Sequence, residues 1–192
     1  IMNFQKIRQQ LKLHNLEIFT SQEFINIFGM SRGVAAVTLT RYKKAGYLIS
    51  PRRGVYYLAG EVEDKYKIAN KVYSPSYISL DSALAKYSLI PETVYTITSI
   101  TTKATREFTD DQTVYRYYRI KKEAFIGYHQ EGDTLFADPE KAVVDYLYFA
   151  SQGKRQLNDR LDLKKIDRKK VSFYAKFFNN TRLNVLIEAV FK

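Results

Sequence analysis

Between Thr20 and Leu58 the chain reads TSQEFINIFGMSRGVAAVTLTRYKKAGYLISPRRGVYYL, and its caps, glycines and apolar spacings leave few ways to fold. Thr20 is placed to cap a helix, with Glu23 three residues on as the carboxylate of a capping box. That helix runs through Phe28, and Gly29 supplies a turn. Ser31 caps the next helix, which continues to about Ala45 before Gly46 ends it. On this second helix Ala35, Leu39 and Tyr42 share one face, whereas Gly33, Val37, Thr40, Arg41 and Lys44 point away. Tyr47–Ser50 and Val55–Leu58 read as a hairpin about Pro51-Arg52-Arg53-Gly54, with two cations at its tip. Helix, turn, basic helix and two-stranded ribbon, in that order, predict a winged helix-turn-helix.

Upstream, Asn3 to His14 predicts a helix with Phe4, Ile7 and Leu11 on one stripe, and Leu16 to Phe19 a short strand. Gly60 with Glu61, Glu63 and Asp64 marks a boundary, giving residues 1–60 as one domain and 61–192 as another. The second part predicts helices over Lys65–Tyr73 and over Leu80–Leu89, the latter capped by Asp81 or its neighbours. Val94–Thr101, Arg106–Thr109, Val114–Lys121 and Phe125–Gln130 are β-branched or aromatic runs that predict an antiparallel sheet. Asp138-Pro139-Glu140 has the composition of a helix start, with a cap, a proline and an acid in the first turn. That helix extends to about Ser151, and two more are expected over Gln156–Ile166 and Lys170–Phe191. The expected class is α+β, a winged helix-turn-helix followed by a mixed domain with an antiparallel sheet and C-terminal helices.

Charge sharpens the functional reading. The net charge of +11 predicts attraction to a polyanion, nucleic acid before an anionic membrane. Residues 1–60 hold nine Lys and Arg against Glu17 and Glu23, so most of the excess lies in the first third. A helix-turn-helix lays its second helix in the major groove, where phosphates give affinity and base edges give the code. Ser31 and Arg32 stand at the start of that helix, with Arg41 and Lys44 farther along it. Thr38 and Thr40 are placed for a phosphate or base edge and Val37 for a thymine methyl. Arg52 and Arg53 suit phosphates or a narrow minor groove. Winged helices also serve as protein-binding modules, so a non-enzymatic adaptor remains the alternative.

No enzyme is expected. His14 and His129 are far apart in sequence, cysteine is absent, and there is no GxxxxGK[ST] or GxGxxG loop, so neither a metal site nor a cofactor is expected. No run approaches the roughly 20 apolar residues of a membrane span. With no signal peptide visible and no cysteine, a cytoplasmic location is expected.

From Lys6 to Leu58, then through YISLDSALAKYSLIPETVYTITSIT and FADPEKAVVDYL, the chain resembles the AbiEi antitoxin family. Arg53-Gly54-Val55-Tyr56-Tyr57 is similar to that family's wing signature. Tyr77-Ile78-Ser79 with Ser82-Ala83-Leu84 resembles its small-residue helix start, and Asp138-Pro139-Glu140-Lys141-Ala142 with Asp145 its acidic-proline helix. Tyr87 departs from the pattern, which has His there, and puts any polar role at that position in question. The resemblance covers the chain to about Phe149. It implies a repressor that binds inverted repeats in its own promoter; because a single small reader covers few base pairs, self-association on DNA is also expected. It also implies an antitoxin that counteracts a nucleotidyltransferase-type toxin without requiring a stable complex between them. Ser82, Asp138, Glu140 and Lys141, with the cations Arg106, Arg119 and Lys121, are the candidate residues for that second role. Helix capping, close packing and ordinary solvated strand positions would account for the same residues without it.

Overall fold

The computed structural model of the chain describes residues 3–192. Its first third runs α1 (Phe4–Leu13), β1 (Ile18–Thr20), α2 (Ser21–Phe28), α3 (Arg32–Lys44), β2 (Leu48–Arg52) and β3 (Val55–Leu58). The local signals explain these bounds. The Asn3 side chain accepts from Gln5 N, Thr20 and Glu23 complete a capping box, and Gly29 ends α2 in the left-handed region (φ 58°). Strand β2 reaches Arg52, so the turn is the two residues Arg53-Gly54, not four. Pro51 sits at a break in the β2–β3 register, where a missing N–H costs no ladder bond.

The three strands pair antiparallel in the order β1-β3-β2. Both faces of this small sheet are buried. Phe19, Leu48 and Leu58 pack with Ile7, Leu11, Phe24, Ala35, Leu39 and Tyr42 of the three helices. Ile18, Val55 and Tyr57 face the other way, into a cluster with Ile68, Ala69, Val72, Ile78, Ile97, Tyr115, Tyr117 and Phe136. The hydrophobic core therefore does not divide at residue 60. A continuous β-strand alternation places every second side chain on each side, and each side finds its own apolar partner.

The remainder comprises α4 (Lys65–Val72), β4 (Ser76–Ile78), α5 (Leu80–Lys86), β5 (Ile97–Thr101), β6 (Arg106–Thr109), β7 (Val114–Arg119), β8 (Tyr128–Glu131), β9 (Thr134–Ala137), α6 (Pro139–Ser151), α7 (Arg168–Lys176) and α8 (Thr181–Val190), with a 3-10 turn at Lys122–Ala124. Six strands form one sheet in the order β6-β7-β5-β4-β9-β8. The expected antiparallel sheet is instead mixed, because β5 pairs β7 and β4 pairs β9 in parallel. The chain passes through β6 between β5 and β7, and through α5, β5, β6, β7 and β8 between β4 and β9, so each parallel pair is joined by an intervening crossover. One face packs on α4 and the small sheet; the other, with Tyr77, Ile100 and Ala137, packs on α5, α6, α7 and α8. The whole is α+β.

Three helix expectations are corrected. Residues 156–166 form turns, because backbone groups there bond to other segments: Asn158 N donates to Tyr146 Oη (2.9 Å) and Asp162 N to Leu89 O (2.8 Å). Lys170–Phe191 is two helices, broken at Asn179 (φ 47°), with Asn180 capping the second through Leu183 N. Helix α5 lacks a side-chain cap: Asp81 lies inside it, and the hydroxyl of its N-cap Ser79 is diverted to Asp145. Among the described residues, no helix is long and apolar enough to cross a membrane.

Candidate nucleic-acid interface

Helix α3 is fixed from one side only. Ser31 caps it through Val34 N (3.4 Å), and Ala35, Leu39 and Tyr42 are buried against α1, α2 and the small sheet. The opposite side keeps Arg32, Val37, Thr40, Arg41 and Lys44 exposed, as does Ser31 at the cap. Ala36, Val37, Thr40, Arg41 and Lys44 line one shallow depression along the helix, at the three- and four-residue spacings that make a single face. Arg41 lies over the Tyr42 ring (4.9 Å) and its guanidinium donates to Tyr42 Oη (3.3 Å). Among the described residues, no carboxylate pairs with Arg32, Arg41, Lys43, Lys44 or Arg53. The nearby acids are engaged elsewhere: Glu23 with Lys71 (2.5 Å) and Thr20, Glu61 with Arg8 and Lys12. The surface is thus an uncompensated cationic helix face, and Arg53 is separately exposed at the β2–β3 turn.

Two of the expected DNA contacts are corrected. Thr38 is only 9% exposed and turns toward the core beside Leu39, because residue 38 falls on the Ala35–Tyr42 stripe. Arg52 belongs to strand β2 and is half-buried, its guanidinium 5.9 Å from the Phe108 ring of the second half of the chain. The shorter turn removes it from the tip.

The candidate residues of the second half split into two groups. Arg106, Arg119 and Lys121 are exposed at one end of the β6–β7 ribbon, where Arg106 pairs with Tyr117 in register. Ser82, Glu140 and Lys141 are buried, and this corrects their reading as contact residues. The Ser82 hydroxyl donates to Thr96 O (3.1 Å) and accepts from Thr98 N (2.9 Å), tying α5 to β5. Lys141 is inaccessible to water and pairs with Asp145 one helical turn on. Asp145 Oδ2 also accepts from Tyr77 Oη (2.9 Å) and Ser79 Oγ (2.8 Å). Burial pushes the Lys141 ammonium down and the Asp145 carboxyl up, and the contact between them opposes both shifts. Asp138 does not cap α6 with its side chain. Its Oδ1 lies 2.8 Å from His129 Nδ1 and its Oδ2 accepts from Tyr174 Oη (2.8 Å). Burial, then Asp138, pushes that phenol up to about 12, so it remains a donor. Among the described residues no group of three His, Asp or Glu side chains is placed to hold a metal ion.

Two polar clusters escaped the sequence reading. Lys141 and Asp145 had a signal, a charged pair at helical spacing inside a segment that is apolar all round. The contact of Tyr57 and Tyr115 with Asp110 had none, since 53 residues separate Tyr57 from Asp110. Comparison with known proteins finds no family model that matches the chain and no match among curated proteins.

Proposed function

We propose that residues 3–58 form a winged helix-turn-helix that binds duplex DNA, with α3 in the major groove and Arg53 of the wing on the phosphates. The observation that carries this reading is the one-sided burial of α3, which leaves Arg32, Arg41 and Lys44 exposed without carboxylate partners. Phosphate neutralisation by such side chains releases counterions and makes binding steeply salt-dependent. Ser31, Val37 and Thr40 lie where base edges come within reach of a groove-bound helix. A reader this small covers few base pairs, so two copies on paired half-sites are the expected stoichiometry.

The resemblance to the AbiEi family extends the proposal: the protein represses its own promoter and, through its second half, counteracts a nucleotidyltransferase-type toxin. Arg106, Arg119 and Lys121 are its accessible candidates for that role, with Asp138 half-exposed beside His129. A second reading, a protein-binding adaptor, draws on the exposed Val34 and Val37 of α3. One experiment separates the two. Full-length protein is titrated with its own upstream promoter fragment and with an unrelated duplex across a salt series. Preference for the upstream fragment with a steep salt slope supports the regulator. Equal and feeble retention of both duplexes rejects it in favour of the adaptor.

A further inference from the structure

Strand β3 carries Tyr57 on the side turned away from α3, where its ring packs among Ile68, Val72 and Tyr117. The ring alone would serve that packing, yet its hydroxyl has a directed partner. Tyr57 Oη donates to Asp110 Oδ2 (2.9 Å), in the turn between β6 and β7. The same oxygen accepts from Tyr115 Oη (2.9 Å), and Oδ1 accepts from Gln112 N (3.0 Å) and Thr113 N (2.8 Å). One carboxylate therefore receives four donors, three from its own hairpin and one from the wing. Hydrogen bonds to an ionised acceptor are among the stronger and more directional ones. Close by, the Arg52 guanidinium lies against Phe108, two residues before Asp110. On the opposite side of the ribbon, Ser21 N donates to Gly54 O (3.0 Å) and ties the tip to α2. The wing is held at both sides, once by its own unit and once by the second half of the chain.

We propose that Asp110 is a positioning residue for duplex binding: through Tyr57 it sets the angle of the β2–β3 ribbon and so presents Arg53 beside α3. The assignment rests on the DNA-binding reading above and adds to it that the second half of the chain is part of the reading head. Loosening this grip removes a phosphate contact without touching a residue that meets DNA.

The test uses full-length protein and a mixed-sequence fluorescent duplex titrated across a salt series. Tyr57→Phe keeps the ring and deletes the donor. It is expected to retain the native circular dichroism spectrum, to bind several-fold more weakly, and to lower the salt slope by about one, as Arg53→Ala does. The double variant Tyr57→Phe/Arg53→Ala is expected to lose no more than Arg53→Ala alone, because both act on one contact. Tyr146→Phe, which removes a hydroxyl bonded to Gln156 O (2.7 Å), is expected to change melting without changing the slope. An unchanged slope in Tyr57→Phe, or losses that multiply in the double variant, overturns the assignment. Asp110→Asn gives the same readout should Tyr57→Phe fail to fold. Arg41→Ala separates the two levels. If it weakens binding while Tyr57→Phe does not, only the Asp110 assignment fails; if neither has any effect, the DNA-binding reading fails with it.

Discussion

At the scale of single residues, Lys141 shows how a charge can be kept in a core. Its ammonium is shut off from water, close to the Phe178 ring (4.7 Å) and paired with Asp145. Removing one member of such a pair leaves the other buried and unpaired, which costs more than the intact pair contributes. Lys141→Met is therefore expected to lower unfolding free energy by about 3–5 kcal/mol in urea titrations. A loss below about 1 kcal/mol would mean that the pair is dispensable. Gly33 poses the opposite case. It lies in the first turn of α3, and a Cβ there would meet nothing within 4 Å. No internal contact requires glycine, so Gly33→Ala should stabilise the helix by about 0.5–1 kcal/mol. If a phosphate approaches that backbone, the same change weakens duplex binding. Melting and binding measured on one preparation then move in opposite directions.

At the scale of elements, α2 gathers its support from both halves of the chain. Burial alone would raise the Glu23 carboxyl, but hydrogen bonds from Lys71 and Thr20 hold it below its ordinary value. A carboxylate with a depressed folded pKa stabilises the protein above the unfolded value and loses that contribution as pH falls through the folded one. Melting temperature should consequently drop as pH decreases below about 4.3, and Glu23→Gln should flatten that part of the profile. A variant profile parallel to the native one would remove Glu23 from the account. The elements also differ in how far they were legible. Helices α1, α2 and α3 carry their own caps and stripes, so their bounds follow from nearby residues, and α6 opens on a local proline at its first position. Strands β4 and β9, of three and four residues, do not. Each exists because it pairs with a distant neighbour, and a short segment's β preference mostly reflects what it packs against. The segment expected as a helix over Gln156–Ile166 is instead an irregular strap: Leu157 and Leu161 pack on the core while its backbone bonds elsewhere.

At the scale of the whole molecule, the small sheet belongs to two cores at once. Residues 1–60 alone would expose Ile18, Val55 and Tyr57, each under 10% accessible in the full chain. Exposing buried side chains of this size forfeits roughly 1.5–3 kcal/mol apiece, a large share of the stability of so short a fragment. The isolated fragment is expected to melt broadly or associate, with poorly dispersed amide resonances, whereas a chain extended to include the second half should unfold cooperatively. A monomeric, sharply melting 1–60 fragment would show that the boundary near Gly60 separates independent units. The sequence by itself determined the local features: capped helices, the basic stripe of α3, the hairpin and the place where composition changes. These depend on neighbours within about one turn or one hairpin, where spacing and side-chain chemistry are sufficient. Only the tertiary structure decided that Arg52 lies against Phe108, that two strand pairs run parallel, and that Asp110 reaches the β2–β3 ribbon. Those outcomes arise from contacts between segments tens of residues apart, which no local pattern encodes.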